Sequence, residues 1–169
     1  TFKVLERKDI MLDSVSIRAI MPMNDGVWFG GTNSKAGFIS FQNDLDTKIV
    51  KLQKEKTDFR SIANNGMDIL LINAGSPANL YKMNTFGYSY VSSLVFTESG
   101  EKVFYDSMFI DVKTGFGIII GDPTEDCLSI LLTEDHGKKW NKIACANLPR
   151  TVEGEAAFAA SDTNVKIVN

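Results

Sequence analysis

Four charged residues stand at one position of a short segment that recurs along the chain. Two arginines beside two carboxylates could hold an anionic or zwitterionic group, such as a peptide terminus or a sugar acid. The alternative is structural, with the four side chains pairing to keep neighbouring repeats in order. With their segments, the residues are Arg18 (16–20), Arg60 (58–62), Asp106 (104–108) and, in a looser match, Glu155 (154–158).

A second polar group lies in the acidic loop that follows Gly121. Asp122, Glu125 and Asp126 carry the oxygen ligands that calcium prefers, but a solvated acidic loop is the favoured interpretation. Asp122 remains a candidate binding residue, because its loop is expected at the same end as the four charged positions. We therefore predict no metal site and no cofactor.

The sequence motifs of common enzyme classes are absent. Gly115-Phe-Gly117 lacks the third glycine and the helix of a dinucleotide-binding loop, and no Walker or Gly-x-Ser-x-Gly pattern occurs. One histidine and two cysteines do not have the spacing of zinc ligands. No catalytic residue is assigned, and an enzyme is the less favoured interpretation.

The elements that position these residues are predicted to be β-strands. Short alternating or apolar runs are separated by turn residues, and Asn24-Asp25-Gly26 is typical of a hairpin. Four runs recur in repeats of about 40–50 residues, the period of a β-propeller blade. A β-sandwich is the alternative, but it does not explain the repeat. The predicted strands are 17–23, 27–31, 38–41 and 48–52; 59–63, 67–74, 80–83 and 88–94; 104–112, 116–121, 128–133 and 140–144; and 156–160 and 165–168.

The repeats divide the chain into blades. About three and a half blades do not close, since known rings have about four to eight. The expectation is a ring of about seven blades, completed by residues outside this sequence or by a second chain. The predicted units are an outer strand of a preceding blade in 1–12, full blades at 13–55, 56–100 and 101–150, and the first half of another blade at 151–169.

One turn carries a specific motif. Thr133, Asp135, Gly137 and Trp140 fit Ser/Thr-x-Asp-x-Gly-x-x-Trp, the Asp-box (BNR repeat) of sialidase-type propellers. We expect Asp135 to accept turn amides, Gly137 to take a positive φ, and Trp140 to pack between blades. His136 is expected to be a surface side chain. The motif indicates fold and not activity, because its turn is expected at the end opposite the four charged positions; the turns at 42–47 and 84–87 lack it.

Residues 104–161 also resemble a narrower family. The segments 104–111, 121–123, 148–149 and 154–161 are similar to the propellers related to the photosystem II stability and assembly factor. The resemblance implies a propeller used for binding or assembly, usually outside the cytoplasm. It does not imply a photosynthetic role.

The predicted hairpin around the Asp-box bears on the two cysteines. If Thr133 lies opposite Trp140, Cys127 comes near Cys145 or Ala146, within reach of a disulfide. A disulfide would fit an exported protein. A slip of one residue would place the two thiols on opposite sides of the sheet, so both arrangements stay open.

Composition excludes some partners. The net charge of −3, with scattered basic residues, gives no electrostatic footprint for nucleic acid or an anionic membrane. No run of about 18 apolar residues is present that could span a bilayer. The chain begins at Thr1 in mid-pattern without Met, so it is expected to be a processed or trimmed product. The protein is expected to be exported, to the periplasm, the cell surface or the medium.

The expected function is non-enzymatic binding or assembly of a protein or peptide. Its site would be the end of the ring where the inner strands begin, at the four charged positions and Asp122. The alternatives are a carbohydrate-binding or sialidase-like glycoside hydrolase and a purely structural repeat module. Against the hydrolase, Tyr105 is expected to point away from the site, and Arg7 and Arg150 fall outside the inner-strand register.

Overall fold

A computed structural model of the protein describes residues 9–10, 12, 14–42, 47–84, 90–158 and 165–168. Within these residues the chain forms three four-stranded antiparallel sheets and no α-helix. Each sheet is built from four strands that follow one another in sequence and pair with their neighbours in that order. The all-β class predicted from the alternating runs is therefore confirmed.

The twelve strands of the described chain fall into three sheets with the same connectivity. The first sheet is β1 (Ile17–Pro22), β2 (Gly26–Gly31), β3 (Lys35–Ser40) and β4 (Thr47–Lys51); the second is β5 (Asp58–Asn64), β6 (Asp68–Ala74), β7 (Ala78–Asn84) and β8 (Val91–Glu98); the third is β9 (Tyr105–Ile110), β10 (Gly117–Gly121), β11 (Ser129–Thr133) and β12 (Asn141–Lys142).

Most strands lie close to their predicted positions, but β8 begins three residues later and ends four residues later than the predicted 88–94, and β12 is shorter than predicted. A strand was expected over 140–144, but Trp140 belongs to the preceding turn, where its Nε1–H donates to the carbonyl of Gly137 at 3.2 Å. After Lys142 the chain soon enters a 3₁₀ helix at Cys145–Asn147. Among the described residues there is no helix of the length and apolar character needed to cross a membrane.

The second sheet lies between the other two and is covered on both faces. Alternate residues of a strand point to opposite faces. Ile69 and Leu71 of β6 belong to a core shared with the first sheet, whereas Leu70 and Ile72 belong to a core shared with the third. All four side chains are at most 1% exposed. The inner strands β1, β5 and β9 are neighbours in that order, so the sheets stack through their first strands.

Some predicted elements fall outside the described residues. These are the strand expected at the start of unit 1–12, within residues 1–5, and most of the turns at 42–47 and 84–87.

The strands predicted over 156–160 and 165–168 are wrong as far as the structure describes them. Residues 156–158 and 165–168 form no strand. The N–H of Thr151 donates to the carbonyl of Asp126, and the N–H of Ala157 donates to the carboxylate of Asp122. The backbone here is thus satisfied by the acidic loop of the third sheet and not by a strand ladder.

Candidate functional site

Each inner strand begins with a β-bulge that holds a charged residue. In the pairing of β1 with β2, Ile17 lies opposite Gly31 and Ala19 opposite Gly30, so Arg18 is the extra residue. Arg60 is the extra residue between β5 and β6, and Asp106 between β9 and β10. Bulges redirect a side chain and are frequent beside binding sites. The three charged positions aligned in the sequence are therefore equivalent in the structure.

The two arginines share one carboxylate. Nε of Arg18 lies 3.7 Å from Oδ2 of Asp58, and Nη2 of Arg60 lies 4.0 Å from the same oxygen. The three side chains are 44%, 36% and 31% exposed, in the order Arg18, Arg60, Asp58. Sequence reasoning did not select Asp58, which is the first residue of β5 and stands two residues before Arg60.

Arg60 also contacts an aromatic ring of the next sheet. Its guanidinium carbon lies 5.9 Å from the ring centroid of Phe104, within the range of a cation–π contact. Nε of Arg60 is buried and donates no hydrogen bond within the described part of the chain. Arg60 thus connects the Asp58 ion pair to Phe104, the second site residue that the sequence analysis missed.

Asp106 does not line an open site, contrary to the prediction. Its side chain is 1% exposed. The cause is local, because β9 is buried at five of its six positions and contributes Tyr105, Met108 and Ile110 to the core between the second and third sheets. The bulge position is the same as in the first two sheets, but the packing around it differs.

Glu155 and Asp122 hold the backbone of the segment after the third sheet. Oε2 of Glu155 accepts the N–H of Val152 at 2.9 Å, and the Glu155 N–H donates to the Val152 carbonyl at 3.1 Å. Glu155 is therefore in a turn, and its predicted equivalence with Arg18 is wrong. Oδ1 of Asp122 accepts the N–H of Ala157 at 2.8 Å.

A cleft of about 690 Å³ opens at this end of the third sheet. Phe104, the ring under Arg60, forms part of its wall. Its lining carries one basic residue, Lys102, and six acidic residues. Within the described ranges, no three potential ligands are grouped closely enough to hold a metal ion. The acidic residues are Glu101, Asp122, Glu125, Asp126, Glu153 and Glu155.

The Asp-box turn lies at the opposite end of the third sheet. Oδ1 of Asp135 accepts the hydroxyl of Thr133 at 2.9 Å and the N–H groups of Lys138 and Lys139 at 3.0 and 2.9 Å. Burial alone would raise the pKa of Asp135, but the hydrogen bonds from Lys139, Thr133 and Lys138 outweigh it and lower that pKa. Gly137 has φ +77°, and its N–H donates to Oγ1 of Thr133.

Two neighbours of the Asp-box aspartate link its turn to the rest of the molecule. Trp140 is 6% exposed and packs in the core between the second and third sheets. The carbonyl of His136 accepts Nδ2–H of Asn65 from the second sheet at 2.7 Å. His136 is half-buried against Gly115, where a surface side chain was expected. The turn thus joins two sheets.

The two cysteines form a disulfide with Cα atoms 5.6 Å apart. The predicted register of the hairpin is confirmed, because Leu131 pairs with Lys142 and Leu132 with Asn141. In this register residue 127 lies beside residue 145. The disulfide fixes the 3₁₀ helix to the start of β11. The helix is followed in sequence by the segment that lines the cleft.

The fold and the site together define an all-β repeat protein with charged, bulged inner strands. Comparison with protein-family models, curated proteins and solved structures finds no match.

Proposed function

We propose that the three sheets are blades of a β-propeller and that the end where the inner strands begin binds a protein or peptide. Three features support the blade interpretation: the sequential four-stranded sheets, the contact between successive inner strands, and the bulge repeated at one position. A ring of about seven blades would require further sheets of the same kind. Export of the protein is part of the proposal, and the disulfide supports it.

The binding proposal rests on the exposure of the two arginines and on their long distances to Asp58. Arg18 and Arg60 come from neighbouring sheets, are 44% and 36% exposed, and stand 3.7 and 4.0 Å from Asp58. Because these separations exceed hydrogen-bond length, neither arginine is hydrogen-bonded to Asp58. Nε of Arg60 is buried, so the donors offered to a ligand are the other guanidinium N–H groups of the two side chains. A carboxylate of a peptide, from its terminus or from a side chain, matches the planar arrangement of these donors.

The acidic cleft extends the same surface with the opposite charge. Phe104 contacts Arg60 and also lines the cleft, so a ligand that lies across its ring would reach both regions. A peptide can carry a carboxylate at one point and a basic side chain a few residues away. Because the surface combines the arginine donors with the carboxylate acceptors of the cleft, it favours a peptide that carries both charges over a purely anionic ligand.

The sialidase-like alternative is weaker at the level of residues. A tyrosine paired with a glutamate is present, since the Tyr105 hydroxyl donates to Oε2 of Glu98 at 2.7 Å. However, Tyr105 is fully buried, and Glu98 is also paired with Lys142. Burial, the hydrogen bond to Glu98 and the charge of Glu98 raise the pKa of Tyr105 far above its usual value. A phenol in this state is a poor nucleophile and has no route to a substrate.

The structural alternative assigns the arginines to Asp58 alone. Exposed ion pairs of this length contribute about 0–1 kcal/mol. A function limited to holding sheets together would leave the exposed donors and the neighbouring cleft without a role.

The test is a selection from a displayed library of random peptides with free carboxyl termini, followed by calorimetry with the enriched peptides. We expect the protein to enrich peptides that carry a carboxylate and a basic residue. The double variant Arg18→Gln/Arg60→Gln should bind them at least about tenfold more weakly, because a hydrogen bond to a charged group contributes about 1.5–3 kcal/mol.

Lys139→Gln is the matched control. It removes an exposed positive charge in the Asp-box turn, at the other end of the sheets, and should leave the affinity unchanged. Failure to enrich any peptide, or equal affinity of the arginine variant, would overturn the proposal. Binding of N-acetylneuraminic acid in place of peptides would favour the carbohydrate alternative.

A further inference from the structure

Phe104 lies at the boundary between the arginine pair and the acidic cleft. Its ring centroid lies 5.9 Å from the guanidinium carbon of Arg60, and the same side chain forms part of the wall of the cleft. The side chain is half-buried, so part of its surface remains in contact with solvent. An aromatic surface therefore lies where the charge of the binding surface changes from positive to negative.

The backbone holds this ring in a fixed place. The neighbours Val103 and Tyr105 are 5% and 0% exposed and belong to the core between the second and third sheets. The carbonyl of Phe104 accepts the N–H of Asp122 at 2.9 Å. Gly121 permits this close approach, since an added Cβ would clash with the same carbonyl oxygen. A ring presented by a fixed backbone loses little conformational entropy when a ligand covers it.

The Phe104 ring contributes little to the packing of the chain. Within the described residues it belongs to neither of the two apolar cores, although both of its neighbours are buried. Its contact with Arg60 is a cation–π contact at the surface. A half-buried aromatic ring in this position is thus available to a ligand that is bound by the arginines.

The distance between the ring and the guanidinium group determines which ligand residue the ring contacts. Consecutive residues of an extended peptide advance by about 3.3 Å, and side chains on one face repeat about every 6.6 Å. When a ligand carboxylate lies on Arg60, the ligand residue over Phe104 is therefore one or two positions away along the peptide. An apolar side chain is favoured there, because it leaves water and gains an aromatic contact.

Beyond the ring, three carboxylates of the cleft are free to meet a basic side chain. Within the described part of the chain, the side chains of Glu101, Glu125 and Glu153 form no hydrogen bond or ion pair. The other three acidic residues accept hydrogen bonds from the chain itself, and they are Asp122, Asp126 and Glu155.

We propose that Phe104 determines the specificity of the peptide site by selecting an apolar residue between the carboxylate and the basic residue of the ligand. The carboxylate lies on Arg18 and Arg60, the apolar side chain covers the Phe104 ring, and the basic side chain enters the cleft. The ligand class is an extended peptide segment that carries these three groups in this spatial order. This inference rests on the binding proposal given under Proposed function.

The experiment is calorimetry with pairs of library-enriched peptides in which the residue between the two charges is leucine or glycine. The wild type should bind the leucine peptide at least about fivefold more tightly, the factor expected when about 40 Å² of apolar surface is covered. Phe104→Ala should reduce this preference to less than about twofold.

Phe41→Ala is the matched control. It removes a 57% exposed phenylalanine whose N–H donates to the carbonyl of Asp25, at the other end of the first sheet, and should keep the preference for leucine. Far-UV circular dichroism verifies that each variant is folded. Phe104→Leu keeps an apolar surface without the ring and should retain most of the preference.

The comparison of the two peptides separates a direct contact from an effect through Arg60. If the ring only held Arg60 in place, Phe104→Ala would weaken the leucine and glycine peptides by the same factor, and this result would overturn the inference. Equal affinity of the wild type for the two peptides would also contradict it. A leucine preference that Phe104→Ala retains would assign the apolar contact to another residue.

Failure of this inference is distinguishable from failure of the binding proposal. The binding proposal fails when no peptide is enriched, or when Arg18→Gln/Arg60→Gln binds the peptides as the wild type does. This inference alone fails when peptides bind through the two arginines but the residue between the charges has no effect on affinity.

Discussion

Nε of Arg18 in the first sheet lies 3.7 Å from Oδ2 of Asp58 in the second, and Arg60 lies 4.0 Å from the same oxygen. One carboxylate therefore stands between two guanidinium groups that belong to adjacent sheets. All three side chains are at least 31% exposed, so solvent screens both ion pairs. This arrangement couples the sheets weakly and is open to competition from a ligand carboxylate.

The first prediction concerns Asp58→Asn. We expect the free energy of unfolding to fall by less than about 1 kcal/mol, because exposed ion pairs of this kind contribute little. Binding of carboxylate-bearing peptides should strengthen, since the competing charge is removed. Urea unfolding and calorimetry measure the two effects, with Asp25→Asn in the β1–β2 turn as the control. A loss of several kcal/mol in stability would show that Asp58 is mainly structural.

The second prediction concerns the Asp-box. Asp135→Ala removes the acceptor of two backbone N–H groups and one hydroxyl. We expect a loss of about 1–2 kcal/mol, comparable to the loss of a helix-capping side chain. Urea unfolding measures it, and the exposed neighbour Glu134→Ala is the control. Peptide binding at the other end of the sheets should not change, and a parallel loss of affinity would contradict the separation of the two ends.

The pH dependence of the same residue gives a third prediction. Because the pKa of Asp135 is lowered in the folded protein, its contribution is present above the unfolded pKa of about 3.9 and is lost as the pH falls through the folded pKa. The difference in unfolding free energy between the wild type and Asp135→Ala should therefore be largest near neutral pH and shrink below about pH 4. A constant difference down to about pH 2 would contradict this assignment.

The sequence predicted the strands of the three sheets because they carry local signals, alternating apolar runs and bounding turns, whereas the strands predicted over 156–160 and 165–168 are not formed in the described residues. It also predicted the hairpin register around Thr133, since the Asp-box fixes that turn. The environment of the charged positions was not predictable in the same way. Arg18, Arg60 and Asp106 share a bulge, but Asp106 is buried because β9 packs almost entirely in the core. That difference depends on tertiary packing.

Glu155 shows a second limit of sequence reasoning. Its segment matches the other three only loosely, and local hydrogen bonds between Glu155 and Val152 make it a turn. Phe104 was likewise missed as a site residue, because only the folded chain places its ring beside Arg60.

The fourth prediction concerns the disulfide. Cys127 and Cys145 are separated by 18 residues in sequence, and closing a loop of this length in the unfolded chain is worth about 3 kcal/mol. Reduction should lower the unfolding free energy by about that amount and loosen the segment that walls the cleft. Thermal unfolding with and without reductant measures the loss, and Cys127→Ser/Cys145→Ser should not respond to reductant. Equal unfolding free energies of the oxidised and reduced wild type would contradict this prediction.

The fifth prediction concerns Tyr105, whose hydroxyl donates to Glu98 between the second and third sheets. Tyr105→Phe should lower the unfolding free energy by about 1–2 kcal/mol near neutral pH, because Glu98 loses a donor while keeping Lys142. The folded pKa of Tyr105 is raised, so its contribution is complete below the unfolded pKa of about 10 and is lost as the pH rises above it. The stability difference between Tyr105→Phe and the wild type should therefore shrink in alkaline solution.

Tyr81→Phe is the comparison for this effect. Its hydroxyl donates to the neutral side chain of Gln53 at 3.0 Å, and burial raises the pKa of Tyr81, with a further contribution from Glu55. Loss of a neutral hydrogen bond costs about 0.5–1.5 kcal/mol, so Tyr81→Phe should be the milder change near neutral pH. If Tyr105→Phe proves no more costly, the Glu98–Tyr105 contact does not join the second and third sheets as strongly as its burial indicates. The side chains of β9 would then be held against the second sheet by apolar packing alone.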